Sequence, residues 1–426
     1  MQQNVFLPAD ILLPQTDLTR WSVVACDQYS SEPEYWQRVE KLVSGAPSTF
    51  DMILPEAMLG TERAAVHSAG IPYAMRRYLE NGVFRTLENS YLYIERELFG
   101  GGVRRGLIGR LDLEAYDYAP FSGTPVHSTE GTVEDRLPPR AELRSAVPVE
   151  SPHIVIFVDD PERTVVEPAA HVRELSAPLY DFELMEQGGH IRGWKVPDRD
   201  AAIIDSALAA LGSIEAFCER YGVAPALMEG KTPLVYAVGD GNHSLAAAKL
   251  WWESLRETLS PDERETHPAR FALVELENIH DPAVGFEPIH RVIFGTDTER
   301  FLAEAAAFWQ SASRGGKEDT VTAVCGDTVI DIPVFGLTAG EIVGEADRFM
   351  TEYITRFGGR LDYIHGDDTA RNMAGRAGAA GLVLPRMEKS GLFTSLVKSG
   401  AFPRKSFSVG HANDKRFYLE CRKIVR

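Results

Sequence analysis

One stretch constrains the fold of this chain more than any other: LVYAVGDGNHSLAAAKLWWESL, residues 234–255. Residues 234–238 are a short apolar run of strand length, and from Leu245 onward the apolar residues recur at helical spacing. Residues 239–244 between them therefore read as a tight strand-to-helix turn with a polar tip. A strand running straight into a helix is the unit of an α/β protein.

The tip reads Gly239, Asp240, Gly241, Asn242, His243, Ser244. Glycine permits backbone conformations closed to other residues and lets the main chain approach a ligand closely. A helix starting here points N–H groups and the positive end of its dipole into the turn, a natural anion site with phosphate as the best-matched ligand. Asn242, His243 and Ser244 add donors, and Asp240 adds a carboxylate that could act as a base or hold magnesium. The bland reading is that the glycines only shape a turn and that Asp240 or Asn242 caps the helix. The density of polar side chains directly after a buried strand favours the ligand reading. Two familiar phosphate motifs are excluded. Ser244 stands where a dinucleotide fingerprint needs its last glycine, and Pro225 stands where a Walker A loop ending in Gly230-Lys231-Thr232 needs its first.

The rest of the chain reads as mixed α/β. Strands are predicted at 90–97, 103–113, 153–158, 191–196, 270–277 and 284–294, and helices at 35–44, 61–82 and 198–221, the last offering Ile203, Leu208, Leu211 and Phe217 to a core. Phe417, Leu419 and Cys421 alternate as in a half-buried strand, and Trp252 or its neighbour Trp251 belongs to the core. Length and pattern predict an N-terminal α/β region at 1–145, a phosphate-binding core at 146–296 and a C-terminal α/β lobe at 297–426, with the core free to draw on 1–145 and 362–426.

A net charge of −18 over 426 residues disfavours nucleic acid and anionic membrane as partners. Cys26, Cys218, Cys325 and Cys421 are too scattered for a zinc knot or a disulfide framework. No apolar run approaches the roughly 20 residues of a membrane span and the N-terminus has no signal-peptide pattern, so the expectation is cytoplasmic.

Other polar clusters compete for a role. Thr129, Glu130, Thr132 and Arg136, with His127, Ser128 and Asp135, form either a phosphate-binding and proton-accepting loop or a solvated one steered by Pro138 and Pro139. His290 and Arg291 open an apolar strand from which they could face a pocket, although a lone histidine is more often structural. His365 with Asp367 and Asp368 reads as an exposed strand end. Arg404-Lys405-Ser406 reads either as an anion clamp or, the favoured reading, as a strand flank, and no metal ligand set can be assigned.

Taken together, WSVVACDQYSSEPEYW (21–36), PST and ILPE (47–56), TEGTVEDRLPPR (129–140), LYDFELMEQGGHIRGW (179–194), GDGNHSLAAAK (239–249), HRV (290–292), DYIHGDD (362–368) and PRKSFSVG (403–410) resemble the bacterial and archaeal family of domain of unknown function 1015. The family's central motif, commonly Asp-Gly-His-His-Arg, is similar to the phosphate-gripping motif of the ParB and sulfiredoxin superfamily. The resemblance implies a ParB/sulfiredoxin-like nucleotide-binding core with additional mixed-sheet regions. Here the matching residues are Asp240, Gly241, Asn242, His243 and Ser244. Asn242 replaces a histidine and Ser244 an arginine, which removes a bidentate phosphate fork. Either Arg291, Arg136 or Lys249 supplies the charge, or nucleotide binding is weakened.

The superfamily includes enzymes that phosphorylate free serine, so the resemblance implies phosphoryl transfer between ATP or ADP, with Mg2+, and serine or phosphoserine. Asp240 or Glu130 would be the base. Gly239, Gly241, Asn242, Ser244, Thr129, Thr132 and Arg136 would hold the cofactor, and His243, His290 and Arg291 would stabilise the transferring group. With water as acceptor the same site is a phosphoserine phosphatase. The reading from a different class is a ParB-like nucleotide-binding regulator without turnover. Self-association into a homo-oligomer stays open.

Overall fold

The computed structural model describes residues 4–25, 29, 32–119, 122–151 and 154–426, apart from the Arg136 side chain. Cys26 and the first residue of the strand predicted at 153–158 lie outside the described residues. The chain is mixed α/β and divides into two compact units. The first comprises residues 1–128, 132–284 and 411–426; the second comprises 129–131 and 285–410.

The first unit is built on a ten-stranded mixed sheet. Its path runs Tyr180–Glu183, His190–Lys195, Leu92–Glu97, Val103–Asp112, Phe271–Asn278, Val155–Val158, Tyr236–Asp240, Val126–Ser128 and Tyr116–Asp117, with Phe6–Leu7 pairing to Val103–Asp112. Side chains alternate across the central strand, as pleating requires. Ala272, Val274 and Leu276 join one apolar core with Leu107, Leu111, Ile156, Val238, Leu245 and Trp252. On the other face Leu273 joins a second core, but Glu275 and Glu277, next on that face, are buried charges.

Arginines lie against this buried acidic patch as ion-pair partners. Arg104 Nε lies 2.9 Å from Glu277 Oε1, and Arg416 Nε lies 2.5 Å from Glu275 Oε2 and also pairs with Glu420. Burial pushes the Glu277 carboxyl well above the ordinary carboxylate range, against the pull of Arg104. Arg96 donates to the backbone carbonyls of Gly188 (3.0 Å), Asp414 (2.8 Å), Lys415 (2.6 Å) and Asn413, and its guanidinium stacks on Phe417. Arg104 adds a bond to the Asp414 carbonyl at 2.8 Å. The C-terminal segment is thereby clamped onto the sheet by main-chain carbonyls. The alternation expected over 417–421 is absent: only Phe417–Tyr418 is strand, and all five residues are buried.

The predicted helix at 198–221 is two helices, Asp198–Leu211 and Ile214–Tyr221, because Ser213 caps the second through the Ala216 N–H. Within the first helix Ile204 faces inward, and Ile203, expected in the core, is 55% exposed. That bent pair has the length and composition of a span, but no single helix among the described residues is long and apolar enough to cross a membrane.

The second unit carries a six-stranded sheet in the order Thr328–Phe335, Glu318–Cys325, Ala379–Val383, Phe286–Phe294, Arg360–His365, with Phe407–Val409 paired to Phe286–Phe294. Thr298–Ala312 and Ala339–Phe357 cover one face through Phe301, Trp309, Ile342, Phe349 and Tyr353. Asp367–Ala374 covers the other with Ala370 and Ala374 against Val292, Val324 and Val383.

Candidate functional site

Val126–Ser128 and Tyr236–Asp240 are parallel neighbours, with Ser128 level with Val238. Both strands leave the sheet at the same end, and the carboxyl ends of parallel strands are where α/β sheets characteristically take ligands. The predicted six-residue turn is shorter than expected. Asp240 still pairs with Val155, Gly241 alone forms the junction at φ 79°, and the helix Asn242–Arg256 begins at once. Leu245, Ala248 and Trp252 hold that helix to the core, while Ala246 and Ala247 pack on Leu137.

The two glycines serve different needs. A Cβ on Gly239 would stand 2.1 Å from the Phe157 ring, so its bareness is a packing requirement. Gly241 requires the left-handed backbone, and a Cβ there would approach Ile154 Cγ1 at 3.0 Å. Gly241 also brings no capping side chain, so the positive end of the helix dipole faces the sheet edge.

Residues 240–244 are all half-buried. Asp240 Oδ1 accepts the Gly241 N–H at 2.9 Å, and Oδ2 lies 3.3 Å from Lys415 Nζ. His243 Nε2 lies 3.4 Å from the Val133 N–H, a long contact in which the ring nitrogen is the acceptor. Asn242 Nδ2 is 3.5 Å from the Val238 carbonyl, beyond ordinary hydrogen-bond length.

From Glu134 the chain is not a loose loop. Residues Glu134–Arg136 form a 3-10 turn running into the helix Leu137–Ala146, with Pro138 and Pro139 in its first turn, where a missing N–H is harmless. Thr132 Oγ1 is buried with no hydrogen-bond partner among the described residues. The sheet thus brings Thr132 and Val133 to the helix that starts at Asn242, joining two polar clusters that are more than 100 residues apart in sequence.

The comparison that decides the family is a match to the one described as protein of unknown function (DUF1015), over residues 7–362. The chain belongs to this family. No curated protein matches it. Among solved structures it is similar to a free serine kinase in complex with AMP, at 12% identity, 73% of this chain, 93% of that one and a TM-score of 0.36. It is similar also to SbnI with C-terminal truncation from Staphylococcus aureus, at 10%, 70%, 84% and 0.32. A conserved hypothetical protein from Pyrococcus furiosus gives 16%, 43%, 73% and 0.27. Likenesses this distant assign no activity to this chain.

The remaining expected residues lie in the second unit. Thr129 is fully buried and Glu130 half-buried; the Thr129 carbonyl accepts the Phe402 N–H at 2.7 Å, and the Gly131 N–H donates to the Phe402 carbonyl at 3.1 Å. His290 is fully buried: Nδ1 accepts the Leu384 N–H and Nε2 donates to Asp367, both at 3.1 Å. Burial holds its pKa below the ordinary value, with Asp367 pulling the other way. Arg291, also fully buried, commits Nε and Nη2 to Asp347 at 2.9 and 3.1 Å and Nη1 to the carbonyls of Ile289 and Lys405 at 2.5 and 2.9 Å. His365 is exposed at its strand end.

Lys249 is no phosphate cation. Its Nζ is held by the Leu113 carbonyl at 3.0 Å and by Glu253 at 3.2 Å. Among the described residues no group of three or more His, Cys, Asp or Glu side chains could hold a metal. The residue that sequence reasoning missed is Lys415. Its signal was a charged pair, Lys415-Arg416, opening the apolar segment KRFYLEC.

Proposed function

We propose that the protein is a nucleotide-dependent phosphotransferase acting on a small hydroxy-amino acid, serine or phosphoserine, with the strand end and helix start at 240–244 taking a phosphate of ATP or ADP. The observation that carries this reading is the convergence, at the carboxyl ends of two parallel strands, of the Thr132–Val133 segment and a helix start capped only by glycine. This is a ParB/sulfiredoxin-like use of a strand, a glycine and a helix N-terminus. The choice of acceptor rests on the family resemblance alone.

In this reading the helix start and the His243 ring lie on the side of the phosphate oxygens, where added negative charge is stabilised as the group transfers. Asp240, braced by the Gly241 N–H and Lys415, keeps the junction in place. By the family resemblance, the candidate bases are Asp240 and Glu130. Magnesium would ride on the nucleotide phosphates, since Asp240 is the one carboxylate within 240–244 and is already engaged on both oxygens. In the forward direction the serine hydroxyl oxygen bonds to the terminal phosphorus, the bridging bond of ATP breaks, ADP leaves and the hydroxyl proton passes to the base.

Incubation with phosphoserine, ADP and Mg2+ should yield serine and ATP, and serine with ATP should yield phosphoserine and ADP. Free phosphate without ATP would replace the kinase with a phosphatase. Nucleotide-induced stabilisation with no turnover would replace it with a regulator. Absence of both turnover and stabilisation would end the reading.

A further inference from the structure

Resting on the nucleotide reading, we infer that Lys415 is a phosphate-binding residue of the same site, delivered to it by the C-terminal segment. Lys415 is only 8% exposed, yet the acceptor its Nζ reaches among the described residues is a single one, Asp240 Oδ2, at 3.3 Å. An ammonium carries three donors, and those that the fold does not take are left to solvent or to a ligand. Two of the three have no acceptor among the described residues. The neighbouring lysine on the helix, Lys249, shows the settled alternative, with both a carbonyl and a carboxylate in hand.

The segment is built to hold Lys415 where it is. Arg96 and Arg104 bind the carbonyls of residues 413–415, and the adjacent Arg416 is pinned between Glu275 and Glu420. Four bonds to the carbonyls of residues 413–415 and two ion pairs of Arg416 fix the backbone at Lys415 and on either side of it. They place a buried cation beside the last residue of the strand that feeds the helix. A phosphate oxygen at that helix start would accept the remaining donors, and Asp240 would keep the ammonium oriented between ligands. The matching ligand is an anion with several charged oxygens, as the diphosphate end of a nucleotide is, and not a neutral metabolite.

The test compares wild type with Lys415→Met and Lys415→Arg in ATP and ADP titrations by calorimetry, with and without Mg2+. The expectation is a loss of 10-fold or more in affinity for Lys415→Met and substantial recovery in Lys415→Arg, which keeps the charge. A folded Lys415→Met that binds nucleotide as tightly as wild type overturns the inference and leaves the nucleotide reading standing. A wild type that binds no nucleotide overturns both. If Lys415→Met does not fold, the wild type is treated with pyridoxal phosphate and borohydride and its peptides are mapped. Labelling of Lys415 that ADP blocks supports the assignment, and labelling that ADP leaves unchanged, or none at Lys415, refutes it.

Discussion

Two polar strings of this chain look alike in sequence and end in opposite states. Asp240 to Ser244 follows a buried strand in the first unit and stays half-buried; His290-Arg291 sits within a strand of the second unit and is fully buried. Arg291 spends its donors on Asp347 and two carbonyls, and His290 spends both ring nitrogens on Leu384 and Asp367. At Asp240 to Ser244 the junction is a bare glycine and the neighbouring Lys415 holds one carboxylate. Polarity next to a strand is therefore no measure of function. A residue inside a strand must find its partners in the fold, whereas the carboxyl end of a strand is where α/β sheets characteristically take ligands.

The sharpest challenge to that contrast is Arg291→Met. If Arg291 is structural, its loss strands Asp347 and two carbonyls and destabilises the second unit by about 3 kcal/mol in urea unfolding, the lower end for a buried pair because Asp347 is partly exposed. Unchanged stability with lost nucleotide binding would instead make it a site residue. Gly239→Ala should cost about 1–3 kcal/mol by driving a methyl into Phe157. Gly241→Ala should cost of order 1–2 kcal/mol through its positive φ, and it should also weaken nucleotide binding, which Gly239→Ala tests only through packing.

Smaller still is a pH effect. The folded-state pKa of His290 lies below its unfolded value of roughly 6.5, so the unfolded chain binds the extra proton first. The stabilisation is complete above that value and is lost as pH falls below it, until the folded group titrates as well. Urea midpoints should therefore drop on acidification from pH 7, and His290→Asn, whose amide oxygen can take the Leu384 N–H, should flatten that slope. The smallest effect is expected for Lys249→Met. No change in nucleotide affinity would confirm that its ammonium is spent within the fold.

Much of the local structure was legible in advance, because it is set by residues close in sequence. The helix at Glu62–Glu80, the strands Leu92–Glu97 and Val103–Asp112 and the burial of one of the two adjacent tryptophans follow from periodicity and glycine placement, and the structure makes that one Trp252. The single misread helix, 198–221, failed because one capping serine outweighs an unbroken apolar pattern. The loop reading of this stretch held through residue 133 and failed from Glu134, because prolines at a helix start look like prolines in a turn.

Neighbouring residues alone were enough to specify a strand, a positive-φ glycine and a helix N-terminus at 236–256, and the family was readable from the same strings. It took the folded chain to show that Val133 meets His243, that Arg291 and Lys249 are spent elsewhere, and that Lys415 stands beside Asp240. Those are pairings of charged and polar groups across long stretches of chain. Which partner a buried charge finds is settled by sheet order and by where the C-terminal segment is clamped, and neither leaves a periodic mark on the residues involved.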